Sequence, residues 1–203
     1  TFEILFRLGF NNLNLQNIRY ITQAGGKISD FLHNEILKLA DKNNFEFIVM
    51  YGQTEASPRM SYLPHKNSKH KIGSIGVPIP GGSFFLKDSK NKKILKSNIE
   101  GNLYYKGKNI FLGYSNSRLD LNLISSKKNI LNTGDRAKKD NDGYYFLTGR
   151  KKRIVKIYGN RYELDKIEKL INNNSIECAC ICKNDKLLIY LTNNKLVDRV
   201  KKI

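Results

Sequence analysis

No apolar run in the 203 residues approaches the roughly 18–20 that a membrane-spanning helix needs. The opening stretch, TFEILFRLGF, has no basic segment ahead of an apolar core and no small-residue cleavage site, so it does not read as a secretory signal. It has no Met and opens inside an apolar helical pattern, and the expectation is therefore a piece of a longer protein. Cysteine is scarce. Its three occurrences, Cys178, Cys180 and Cys182, fall in CACIC. Alternate positions of a strand share one face. A bridge between neighbours on that face is geometrically poor, and no histidine stands near to complete a metal set. The thiols therefore read as small apolar residues on a buried strand face in a reducing, cytoplasmic setting. The three histidines, His33, His65 and His70, form no triad, and the last two sit in the polar stretch LPHKNSKHK and read as surface residues. Internal repeats and low-complexity tracts are absent.

Acidic residues are also few: 18 Asp and Glu against 36 Lys and Arg give a formal charge of +18. A basic excess of this size raises nucleic acid as a partner. The lysines are nevertheless spread along the chain, and only GRKKRIVK is a basic block. Alternate positions of a hairpin strand there would face solvent, so a nucleic-acid partner is not the expectation. What is plentiful is core material: the chain is 40% hydrophobic, enough for one large domain or two small ones.

Apolar spacing places a helix end over residues 1–9, with Phe2, Leu5, Phe6 and Leu8 on one face, and a strand over Ile18–Ala24. Gly25 and Gly26 break that strand. Ser29 is then a helix cap for Asp30–Lys42, with Phe31, Leu32, Ile36, Leu37 and Leu39 apolar. A second strand, FEFIVM, ends at Tyr51. Strand, helix and strand in that order predict a βαβ piece with a parallel pair. After Arg59 the character changes to short β segments broken by Gly, Pro and Asp-Gly turns, a small antiparallel unit with a tight turn at Asp142-Gly143. From Gly149 on, ELDKIEKLINN is an amphipathic helix, ECACIC and KLLIYLT are strands, and NKLVDRVKKI starts another helix. The fold class is thus α/β plus β, with residues 1–59 the α/β piece, 60–148 the β-rich part and 149–203 a further small α+β region.

Two clusters carry chemistry. YGQTE, Tyr51–Glu55, falls just where a buried strand ends, and in α/β sheets ligands sit beyond the carboxyl ends of parallel strands. The Tyr51 ring can stack on a base, and Gly52 lets backbone come close. The Thr54 hydroxyl can donate to a phosphate oxygen. The Glu55 carboxylate suits Mg²⁺, which favours one carboxylate plus substrate phosphates. NTGDR places Asp135 in a glycine turn, where an acid can accept both ribose hydroxyls, and Arg150 can add donors.

QAGGKIS (Gln23–Ser29), YGQTE, NTGD (Asn132–Asp135) and GRKKRIVKIYGNRYELDKIE (Gly149–Glu168), joined by GSIGVPIPGG and EGNLYYKGKNIFLGY, resemble in order and spacing the adenylate-forming (AMP-binding) superfamily of acyl- and aryl-CoA synthetases, nonribosomal adenylation domains and luciferases. The resemblance implies that residues 1–148 are the C-terminal half of a large adenylating domain and 149–203 the hinge and an incomplete small C-terminal domain. It implies an ATP-dependent, AMP-forming ligase that makes an acyl-adenylate and then a thioester on CoA or a carrier phosphopantetheine. The acid is left open among fatty, aryl, amino and hydroxy acids. In that scheme Tyr51 stacks on adenine, Thr54 touches the α-phosphate, Glu55 holds Mg²⁺, and Asp135 with Arg150 takes the ribose. Gly25 and Gly26 wall the acyl pocket, Lys152 is the hinge, and Gly159 begins the loop of the thiol tunnel. A phosphate-gripping loop would lie before Thr1 and a catalytic lysine after Ile203, so these residues alone are expected to bind AMP weakly and not to adenylate. Lys27 and Arg153 depart from the family pattern, which keeps open a non-catalytic relative serving as a binding or scaffold module.

Overall fold

The computed structural model describes residues 2–115, 117–122, 129–150, 153–157, 160–183 and 186–201. They divide into two units, residues 1–133 with 137–147, and residues 134–136 with 148–203.

The first unit opens with helix α1 (Phe2–Arg7), strand β1 (Tyr20–Gln23), helix α2 (Asp30–Asn43) and strand β2 (Glu46–Tyr51). The two strands are parallel, running from Tyr20 opposite Glu46 to Gln23 opposite Val49, as the strand–helix–strand pattern requires. Ser29 caps α2, its side chain accepting the Leu32 N–H at 3.3 Å. Leu32, Ile36, Leu37, Leu39 and Ala40 are buried with Phe45, Phe47 and Val49 in one core, and Phe2 and Phe6 pack against it. Phe31 does not join them and is 76% exposed. It shares its helical stripe with Glu35, Lys38 and Lys42, four, seven and eleven residues further on, which is the solvent face. Leu8 is also exposed, because α1 stops at Arg7 and Gly9 turns the chain left-handed at φ 83.

Two strands after Arg59, β3 (Ser61–Leu63) and β4 (Val77–Pro78), extend this sheet antiparallel in the order β1-β2-β3-β4. Helix α3 (His65–Ser68) lies between them. His65 is not a free surface residue: its ring Nδ1 accepts the Phe47 N–H at 3.1 Å, and the residue is half-buried. His33 is fully buried, its Nε2 2.9 Å from the Ser68 hydroxyl and its ring edge-on to Phe47. A small imidazole with one hydroxyl partner fits this core at the cost of one unpaired nitrogen, which charge composition cannot foretell.

A second sheet has the order β6-β5-β7-β8-β9, with β5 (Ser83–Lys87), β6 (Lys93–Ile94), β7 (Gly101–Lys106), β8 (Ile130–Lys139) and β9 (Tyr145–Arg150). β5 pairs antiparallel with both β6 and β7. Alternation sends Phe84, Leu86, Leu103, Tyr105, Ala137 and Tyr145 to one core. Between β8 and β9 the Asp140 carboxylate accepts the N–H groups of Asp142 and Tyr144 at 3.0 and 2.8 Å, and Gly143 takes φ 87.

The second unit holds β10 (Ile154–Ile157), β11 (Asn160–Glu163), α4 (Leu164–Asn172), the antiparallel pair β12 (Cys178–Lys183) and β13 (Lys186–Leu191), and α5 (Val197–Val200). Leu164, Ile171, Ile176 and Cys180 are buried in it. Cys178, Cys180 and Cys182 share the covered face of β12 and are free thiols, while Ala179 and Ile181 look outward. Burial, with Cys178 and Glu168 adding to it, pushes the Cys180 thiol up to about 11. Arg153 pairs with Asp165 at 3.0 Å and Glu168 at 2.5 Å, and donates to the Cys180 carbonyl at 3.1 Å. Glu168 also accepts the Cys180 N–H at 2.6 Å.

Candidate nucleotide site

Because β1 and β2 are parallel, their carboxyl ends deliver two loops to the same edge of the sheet: Gly25-Gly26 after β1 and Tyr51–Glu55 after β2. The first loop is closed by Gln23, a buried side chain whose Nε2 donates to the Gly26 carbonyl, while Gly25 sits at φ +94 with open space where a side chain would be. Lys27 is exposed. In the second loop Tyr51 is half-buried, its ring 6.1 Å from that of Phe84. The close approach that Gly52 permits is one of the chain to itself: a Cβ there would lie 1.4 Å from the Pro58 carbonyl oxygen. Gln53 donates from Nε2 to the Thr133 carbonyl at 2.6 Å, and Thr54–Ala56 then forms a single 3₁₀ turn. The turn leaves Thr54 exposed, Glu55 half-buried and Ala56 buried. The Tyr114 hydroxyl meets the Glu55 carboxylate, and that hydrogen bond holds the Glu55 carboxyl below its ordinary range while raising the Tyr114 phenol. Among the described residues no group of three or more His, Cys, Asp or Glu gathers to hold a metal by itself.

In the second unit Asp135 is 3% exposed, and the Arg150 Nε reaches its Oδ1 at 3.0 Å. The Arg150 N–H is itself fixed by Asp165 Oδ2 at 2.8 Å, and Arg136 pairs with Glu163 at 2.7 Å. Lys152 and Gly159 lie outside the described residues. Gln23, Gln53 and Tyr114 do not stand out in the sequence as site residues. The signal for the first two is a glutamine directly before a loop motif and one inside it; for Tyr114 there is only its place in a connector far along the chain.

The AMP-binding enzyme family model matches residues 2–115, and the chain belongs to that family. Similar curated proteins include "Probable 4-coumarate–CoA ligase 1" of Dictyostelium discoideum, 27% identical over 84% of this chain and 31% of the relative. Luciferin 4-monooxygenase of Photuris pensylvanica is 30% identical over 78% of this chain and 28% of the relative. The chain thus spans about a third or less of the length of these relatives. Among solved structures, the O-succinylbenzoate coenzyme A synthetase of Bacillus subtilis in complex with ATP and magnesium ion covers 96% of this chain, which covers 42% of it, at 21% identity and a TM-score of 0.69. That likeness establishes the adenylating-enzyme fold.

Proposed function

We propose that this chain supplies the nucleotide-binding portion of an ATP-dependent, AMP-forming carboxylate ligase. The observation that carries the reading is the Thr54–Glu55 turn, set at the carboxyl end of a parallel strand in a chain of the AMP-binding family. Tyr51 offers its ring to adenine, Thr54 its hydroxyl to the α-phosphate, and Gly25 and Gly26 leave room beside them. Asp135, with Arg150 at its side, takes the ribose hydroxyls. A single carboxylate, with no cluster of His, Cys, Asp or Glu about it among the described residues, fits Mg²⁺, which completes its shell with substrate phosphates and water, so Glu55 would hold it. The metal would neutralise phosphate charge.

In the reaction proposed for the whole protein, a substrate carboxylate oxygen bonds to the α-phosphorus as the bond to the bridging oxygen breaks and pyrophosphate leaves. The sulfur of CoA or of a carrier phosphopantetheine then attacks the acyl carbon and AMP departs. Residues 1–148 would be the end of the large domain and 149–203 the hinge and start of the small one, with Lys152 at the pivot and Gly159 leading the thiol loop. The ion pairs of Arg153 with Asp165 and Glu168 give that departure from the family pattern a structural role.

Titration calorimetry with AMP and Mg²⁺ tests the reading. Binding that weakens by about tenfold or more in Asp135→Ala or Tyr51→Ala, with the thermal midpoint retained, is expected. Equal affinity for AMP in wild type and both variants would refute it. Pyrophosphate exchange with candidate acids then addresses catalysis, and these residues alone are expected to show none.

A further inference from the structure

The Thr54–Glu55 turn has little of its own to hold it. It is one 3₁₀ turn, with no side-chain cap from Gln53, and Ser57 follows in a left-handed conformation at φ 54. Within the loop its ties are the N–H groups of Ala56, Ser57 and Met60, bonded to the carbonyls of Gln53, Thr54 and Tyr51. Two further carbonyls of the loop, those of Ala56 and Arg59, both end on one group: the Asn109 Nδ2, at 2.6 and 2.8 Å. An amide nitrogen carries two protons, so both carbonyls are satisfied by a single side chain.

The orientation of that amide is fixed from the other side. Its Oδ1 accepts the Tyr105 hydroxyl at 2.8 Å, and Tyr105 is fully buried. Flipping the amide would set its oxygen against two carbonyl oxygens. The backbone around Asn109 adds further links: its own carbonyl accepts the Ser57 hydroxyl at 3.0 Å, and the Phe111 N–H donates to the Glu55 carbonyl at 2.9 Å. The Tyr114 hydroxyl on the Glu55 carboxylate closes the set. The segment from Asn109 to Tyr114 is thus a strap over the turn, pinned at Asn109 to the core beneath β7.

We propose that Asn109 is a positioning residue, which through its two carbonyl contacts sets the direction in which Thr54 and Glu55 present their oxygens to a ligand. The inference rests on the nucleotide reading of that turn. Its test separates the two by pairing a local exchange measurement with a binding measurement. Asn109→Asp keeps the side-chain volume and the acceptor but removes both donors; Asn109→Ala is the second variant should the carboxylate block folding. Hydrogen exchange is followed on the free 203-residue protein, and AMP affinity with Mg²⁺ is measured by calorimetry. Expected are faster exchange confined to residues 53–60, unchanged exchange in α2, and AMP binding weaker by about five- to tenfold. Exchange that accelerates equally in α2 marks a merely structural residue and overturns the proposal. So does wild-type exchange in residues 53–60, and so does local loosening with AMP affinity intact. If wild type itself binds no AMP, the nucleotide reading fails, and Asn109 then stands or falls on whether faster exchange is confined to residues 53–60.

Discussion

His33 holds one ring nitrogen against the Ser68 hydroxyl and leaves Nδ1 without a partner among the described residues. Burial lowers its pKa, with Asp30 opposing weakly. The sign of the consequence follows. The unfolded chain takes up a proton near the ordinary value of about 6.5, while the folded chain resists until lower pH. Stability is therefore fully present above about pH 6.5 and is lost as pH falls from there toward the folded pKa. Thermal midpoints between pH 8 and 5 should show this slope, and His33→Leu should flatten that part of it even if it lowers the midpoint overall. A thiol raised to about 11 is seldom a thiolate at neutral pH, so Cys180 should resist iodoacetamide in the folded protein and react only after unfolding, as peptide mapping would read. The residues differ in legibility. The sharing of one face by the three cysteines follows from strand periodicity alone. The burial of His33 does not, since a histidine in an amphipathic helix is placed by what the helix packs against.

At the level of elements, α2 and the parallel pair were legible because cap, spacing and length all agree, whereas the exposed Phe31 shows the limit of counting apolar residues without fixing the stripe they occupy. The loop from Gly52 to Arg59 is decided by contact. Gly52→Ala would force Cβ onto the Pro58 carbonyl, and should cost more than about 1 kcal/mol, read as a lowered urea midpoint, with AMP binding lost as the turn opens. In the second unit Arg153 links the approach to β10 with α4 and β12. Arg153→Ala leaves Glu168 half-paired beside the Cys180 N–H. It should destabilise the unit by about 1–2 kcal/mol, discounted for the partial exposure of the arginine, and speed exchange at Cys180. In the sequence Arg153 shows only as a departure from the family pattern; its partners lie 12 to 27 positions further along the chain, beyond the reach of local pattern.

Over the whole molecule the charge of +18 works against compactness, since 36 Lys and Arg face only 18 Asp and Glu. Moderate salt should therefore raise the thermal midpoint by roughly 2–5 °C, a gain that a neutral domain of this size would not show. No helix of the described residues is long and apolar enough to cross a membrane. The amino-acid order by itself determined the βαβ start, the antiparallel strands, the solvent-facing lysines and the motif spacing that marks the family, because periodicity, caps and turns act over a few neighbouring residues. Tertiary structure alone decided that Asn109 and Tyr114 serve the Thr54–Glu55 turn and that Gly52 makes room for Pro58. Hydrogen bonds and close approaches between distant segments depend on where strands bring them, and no local pattern encodes that.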